Sequence, residues 1–181
     1  ILKNPGINLR GIIEKTKLSP NYVSQFVNSL VGMNVLKEQR FEKKRTYLRI
    51  FSINIQAALT KNILALVNEA KKEEFIDKYK RLRSVLIQLS QINESDFIII
   101  YGSYARLAAE KDSDIDILIV GNIKDVNKIR EILVSLDIEP SIKIESLKDF
   151  RKRIDDDIHR QIIKDGLILK GFDKFISTLP K

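Results

Sequence analysis

The stretch from Phe97 to Val120, FIIIYGSYARLAAEKDSDIDILIV, constrains the fold more than any other part of the chain. An apolar run stops at Gly102-Ser103, a short helix-like segment carrying Arg106 follows, and a second apolar run opens with Asp114 and Asp116. Side chains alternate faces along a strand, so these two carboxylates point the same way with Cα atoms roughly 7 Å apart, and Ile115 and Ile117 face the opposite side. Two carboxylates on one face of a packed strand repel each other and lose hydration, and a divalent cation between them compensates. A glycine at the strand-to-helix junction lets backbone amides approach a phosphate, and a helix after it offers unpaired N–H groups to the anion. Ser103 adds a hydroxyl donor. Arg106, one turn on, either contacts phosphate or braces Glu110 as an i,i+4 ion pair. Together these residues outline a site for metal and phosphate.

Gly102-Ser103-Tyr104-Ala105-Arg106 followed by Ser113-Asp114-Ile115-Asp116-Ile117-Leu118-Ile119 resembles the nucleotidyltransferase superfamily that includes DNA polymerase beta and the minimal nucleotidyltransferases of archaea and bacteria. The resemblance covers roughly Asp77 to Phe172. It implies that Gly102 and Ser103 bind the triphosphate of an incoming NTP, with Arg106 beside them, and that Asp114 and Asp116 hold Mg2+ and serve as catalytic carboxylates. The family usually carries a third carboxylate on a later strand. The matching stretch is Glu139-Pro140-Ser141-Ile142-Lys143-Ile144-Glu145, and the best-aligned position falls on Ser141, which cannot act as a base. Glu139 or Glu145 could substitute, and Glu145 is the catalytic candidate taken forward. Leu107 is a second departure, since the family commonly has glycine after the arginine.

The N-terminus is the other informative region. Asn8 to Thr16 has an N-cap residue and helical apolar spacing, and Ser19-Pro20 supplies an N-cap and a first-turn proline for a second helix. Val23, Phe26, Val27, Leu30 and Val31 follow the spacing of one buried face. Val35 to Phe41, the polar turn Glu42-Lys43-Lys44, and Arg45 to Phe51 read as a basic hairpin. Helix, turn, helix and hairpin over about residues 1–52 resemble the winged helix-turn-helix of transcriptional regulators. That resemblance implies double-stranded DNA as a partner. Asn21, Tyr22, Ser24, Gln25 and Asn28 would face bases or phosphates, and Arg40, Lys43, Lys44 and Arg45 would meet phosphates. Charge agrees: residues 1–60 hold ten Lys and Arg against three Glu, so nearly all of the net +8 sits at this end.

The expected fold class is therefore α/β (α+β): a winged helix-turn-helix at 1–54, a helical connector at 55–90, and a nucleotidyltransferase domain with a mixed sheet at 91–181. The connector carries the apolar stripe Ile76, Tyr79, Leu82, Val85, Leu86 and Leu89. Its earlier part around Ile63, Leu64 and Leu66 is a candidate homodimer surface, with packing on its own domain as the ordinary alternative. A helix from Val126 to about Leu136, a strand at 141–145, helices over 147–163 and an apolar segment at 167–169 complete the chain.

With no Cys, disulfides, zinc–thiolate sites and Cys nucleophiles are excluded, and a reducing cytoplasm is the easy assignment. The single His, His159, reads as the polar start of a surface helix. No apolar stretch reaches the ~20 residues of a membrane helix, and the P-loop pattern is absent. Ile1 to Pro5 reads like the tail of a preceding helix. A chain rich in Ile and Lys suits an archaeal thermophile and equally a low-GC mesophile. Three functions are compatible with these readings: an Mg-dependent nucleotidyltransferase acting on a hydroxyl acceptor, a DNA-binding regulator whose nucleotidyltransferase domain senses nucleotide without turnover, and the transferase of a toxin–antitoxin pair with a protein as acceptor.

Overall fold

A computed structural model describes residues 6–43, 46–134 and 140–180. Ile1 to Pro5, the expected phosphate contacts Lys44 and Arg45, the end of the expected 126–136 helix and the candidate base Glu139 lie outside the described residues. The chain divides into two compact units, Ile1–Leu64 and Ala65–Pro180.

In the first unit a short strand β1 (Ile7–Asn8) leads into α1 (Leu9–Thr16), whose first turn is capped by Asn8 Oδ1 accepting from Gly11 N at 2.8 Å. Lys17 takes a left-handed conformation and ends that helix, and α2 (Pro20–Gly32) starts from the Ser19 cap and Pro20 as the sequence anticipates. β2 (Leu36–Lys43) and β3 (Thr46–Ile53) form the hairpin, and β1 adds to β3, giving the order β1-β3-β2. Ile12, Val23, Val27, Leu36 and Phe51 are its buried centre. Phe26 departs from the expected buried face. It is more than half exposed, and its ring lies parallel to that of Tyr22 one turn earlier. The buried face of α2 is narrower than its apolar spacing suggested: Val23 and Val27 are buried, Leu30 and Val31 pack half-buried against the same cluster, and Phe26 falls outside it.

A charged network ties α2 to the hairpin. Arg49 donates to Glu38 Oε1 at 2.8 Å and Oε2 at 3.1 Å and to Asn28 Oδ1 at 2.6 Å, while Arg40 reaches the same Glu38 at 2.6 Å. Hydrogen bonds from Arg49 and then Arg40 pull the Glu38 carboxyl from its ordinary 4.5 down to about 2. A depressed carboxyl contributes stability that is complete above its unfolded pKa and fades as pH falls through the folded one. Glu38→Gln should therefore melt earlier than the native chain at pH 7, and the gap should close as pH drops from about 4.5 to about 2. A gap independent of pH in paired thermal melts would contradict this assignment.

The second unit is built on a sheet of β4 (Ser95–Tyr101), β5 (Ile115–Gly121), β6 (Pro140–Glu145) and β7 (Leu167–Lys170), in the order β6-β5-β4-β7. β5 and β6 run parallel and the other neighbours antiparallel, so the sheet is mixed. Ile98, Ile100, Ile115, Ile117 and Ile119 pack on one face against Phe75 of α3 (Ala58–Lys78), Val85, Leu86 and Leu89 of α4 (Arg83–Ser90), and Ile129 and Leu133 of α6 (Val126–Val134). The opposite face holds Phe97 with Phe150 and Phe175 set edge-on at 5.1 and 5.5 Å, from α7 (Leu147–Lys152) and α9 (Phe172–Thr178). Burial on both faces explains why β4 and β5 read as unbroken apolar runs rather than alternating ones. Much of the stretch expected as a connector, including Leu82, Val85, Leu86 and Leu89, contributes to this core.

β7 is an edge strand, and α3 closes it. Asn68 donates from Nδ2 to Ile168 O at 2.9 Å and accepts at Oδ1 from Ile168 N at 3.1 Å, so one side-chain amide stands in for a neighbouring strand.

Candidate active site

β4 ends at Tyr101, and the chain turns at Gly102 with φ +71°, a conformation open to glycine at little cost. A single helical turn, α5 (Gly102–Ala105), follows and buries Tyr104 and Ala105. A Cβ on Gly102 would stand 2.1 Å from Asp116 Oδ2, so the carboxylate lies directly against the α-carbon of the Gly-Ser turn. The register agrees, since Tyr101 is the Cα partner of Asp116. The Gly-Ser turn and the second aspartate of the pair are thus one locus.

β5 begins at Ile115, so Asp114 sits just before the strand and is exposed, whereas Asp116 is half-buried. Burial pushes the Asp116 carboxyl above its ordinary range and the negative charge of Asp114 adds to that, against a hydrogen bond from Ser141 and the nearby Arg106 guanidinium. Ser141 is the Cα partner of Asp116 on β6. Sequence reasoning set Ser141 aside as a failed base, but its place is as a hydrogen-bond donor to the carboxylate. Tyr101 was not singled out. Its phenol is raised by burial and then by the charges of Asp116 and Glu145, which puts it within their field.

Arg106 does not brace Glu110. Leu107 takes φ +57° and ends the helix, so the i,i+4 geometry is lost, and the Glu110 amide instead donates to Ser113 Oγ at 2.9 Å. Arg106 is left beside Asp116. The left-handed Leu107 also shows what its departure from glycine involves: a conformation that costs an L-residue roughly 1–2 kcal/mol, held while its side chain packs on the core.

Glu145 does not join the pair. It lies four residues past Ser141, opposite Val120, or ~13 Å along the strand. Lys143 meets it at 2.7 Å, Arg153 at 3.4 Å and His159 Nε2 at 3.0 Å. Burial would raise its carboxyl, but the hydrogen bonds from Lys143 and His159 prevail and hold it lowered. An ionised Glu145 accepts, so His159 Nε2 carries the proton and donates. His159 on α8 (Asp157–Asp165) is buried against Phe150, contrary to the surface position its acidic neighbours suggested. Asp155, Asp156 and Asp157 stay outside while the helix turns His159 and Ile162 inward. The only earlier hint was the His159-Ile162 spacing of one helix face. His159→Ala should lower stability by about 2–4 kcal/mol, the range for truncating a large buried side chain, as read from denaturant unfolding. A loss under ~0.5 kcal/mol would deny it this role.

Of the residues expected to meet DNA, Asn21, Tyr22, Gln25 and Asn28 are exposed on α2, and Ser24 is half-buried. Asn28 is engaged by Arg49 and Arg40 by Glu38, and Lys43 ends β2.

The family described as "Polymerase beta, Nucleotidyltransferase" matches residues 80–174, just over half of the chain. The chain belongs to this nucleotidyltransferase family. It is also similar to a protein of Methanocaldococcus jannaschii named "Putative protein adenylyltransferase", at 35% identity over 75 residues, which cover 40% of this chain and 75% of the relative. No helix among the described residues is long and apolar enough to cross a membrane.

Proposed function

We propose that the second unit transfers a nucleoside monophosphate from an NTP to a hydroxyl group of a protein acceptor. The observation that carries this is the contact between the Gly102 turn and Asp116: a glycine-opened turn for phosphate lies against a carboxylate whose burial and like-charged neighbour call for a cation. Asp114 and Asp116 offer hard oxygen donors, and among the described residues no third carboxylate, His or Cys joins them into a three-ligand cluster. That set fits Mg2+, which completes its shell with phosphate and water oxygens. When bound, the metal would polarise the phosphate and offset the charge that builds on it during displacement. The chain's own groups then bind and orient the nucleotide. Gly102 and Ser103 take the triphosphate, Arg106 balances its charge, and Ser141 fixes the rotamer of Asp116. A protein is taken as the acceptor because the Methanocaldococcus jannaschii relative is named a putative protein adenylyltransferase.

The test is incubation with magnesium and ATP labelled on its α-phosphate, in extract from the source cells, followed by gel separation. Label on a protein with matching pyrophosphate release supports the reading. Nucleotide binding without release in any extract fraction would favour a nucleotide sensor instead.

For the first unit, the succession of α1, turn, α2 and basic hairpin together with its charge excess supports a winged helix that binds nucleic acid. Binding that is absent at low salt would end that reading.

A further inference from the structure

The loop from Arg106 to Ser113 joins the Gly-Ser turn to Asp114, and three successive residues in it are held by their backbones. Lys78 Nζ donates to the Leu107 carbonyl oxygen at 2.5 Å, Ala108 N donates to the Ser103 carbonyl oxygen at 2.9 Å, and Ala109 N donates to the Tyr79 hydroxyl at 3.3 Å. Lys78 is the last residue of α3 and Tyr79 follows it, so two of these bonds bring a distant part of the second unit to the edge of the candidate active site. The Tyr79 ring is itself fixed by Phe75, 5.0 Å away, and by the buried Tyr104 of α5, 4.9 Å away. Lys78 Nζ lies 5.7 Å from the centroid of the same ring.

We infer that Lys78 and Tyr79 are positioning residues for the triphosphate of the nucleotide, acting through Arg106. This rests on the reading of Gly102, Ser103 and Arg106 as the triphosphate site and adds what keeps the arginine there. The sequence offers Arg106 a second destination in Glu110, one helical turn ahead. Leu107 decides between the two. In a right-handed conformation it would carry the helix on to Glu110, and the guanidinium would gain a carboxylate partner away from the Gly-Ser turn. At φ +57° the helix stops and Arg106 stays beside Asp116. The left-handed state is the costlier one for leucine, and such a state persists where its surroundings over-determine it. Lys78 and Tyr79 hold the carbonyl of Leu107 itself and the amide two residues on, which is where that constraint has to act. Lys78 is exposed, and water competes for the same carbonyl, so its bond adds little to stability. Its effect is on the path of the loop. An arginine preset in this way loses less freedom when an anion arrives.

The experiment titrates the full chain with the magnesium complexes of ATP, GTP, CTP and UTP by calorimetry and continues with the one bound most tightly. Tyr79→Phe removes one hydroxyl and keeps the ring, and Lys78→Met keeps most of the stem and removes the donor. Each should weaken binding roughly 3- to 10-fold, the worth of one hydrogen bond, and Arg106→Ala should weaken it by roughly 10-fold or more. The deciding comparison is a double-mutant cycle: on the Arg106→Ala background, Tyr79→Phe and Lys78→Met should each change the affinity less than about 1.5-fold, because the group they position is gone. Thermal melts check that every variant is folded. Losses that add to that of Arg106→Ala, native affinity in Tyr79→Phe and Lys78→Met, or native affinity in Arg106→Ala would each overturn the positioning role, with nucleotide binding by the native chain still in place. No binding of any of the four nucleotides by the native chain would overturn both this role and the triphosphate site.

Discussion

Asp116→Asn is expected to lower nucleotide transfer by ~10³-fold or more without lowering stability. The two effects separate because of where the carboxylate is placed. Its charge is held in a half-buried position, beside the like charge of Asp114, against the α-carbon of Gly102, an arrangement that the folded state opposes at neutral pH. Asparagine keeps the size and the hydrogen-bonding partner Ser141 and removes the repulsion, so the variant should melt at the native temperature or slightly above it. Ser141 and Arg106 only partly offset that cost, and in the proposed function the charge serves the phosphate chemistry. Parallel measurements of pyrophosphate release and thermal unfolding decide the matter. A variant within tenfold of native activity would show that the pair is not the catalytic locus, and a large fall in melting temperature would make Asp116 a structural carboxylate.

Gly102→Ala is expected to damage both properties. The added methyl would meet Asp116 Oδ2 at 2.1 Å, and the φ of +71° costs an alanine about 1 kcal/mol before any collision. Relief requires the carboxylate to swing away or the turn to open, and a displacement of about 1 Å in a reacting constellation costs on the order of 10²-fold in rate. Transfer should fall by that factor and the melting temperature by several degrees. Gly32→Ala is the matched control: a Cβ there meets nothing within 4 Å, so that variant should be at least as stable as the native chain. Equal behaviour of the two alanine variants would refute the contact.

The parts of this molecule that could be read from sequence are those encoded by local spacing. The Gly-Ser turn, the alternation around Asp116 and the Ser19-Pro20 helix start each depend on residues within a few positions of one another, and each is where the reading placed it. What escaped depends on partners far along the chain. Ser141 became a partner of Asp116 only through the parallel register of β5 and β6, and His159 was drawn inside by a carboxylate 14 residues away. Phe26 shows the opposite limit. Its spacing matched a buried face, but how wide that face is depends on how closely a sheet approaches, which the helix's own sequence does not state. Leu107 was noticed as an anomaly, and its left-handed backbone supplies the reason it was one.

The Asn68 amide that closes the edge of β7 has a consequence in time. The two residues it joins are 100 positions apart, so the seal forms only after almost the whole second unit has been synthesised and the intervening loop closed. Until then β7, the last strand among the described residues, has no partner along its outer side, and two partly folded chains can meet there. Closure of this one edge therefore depends on a long-range contact, and yield at high expression should depend on Asn68 more steeply than the stability of the purified protein does.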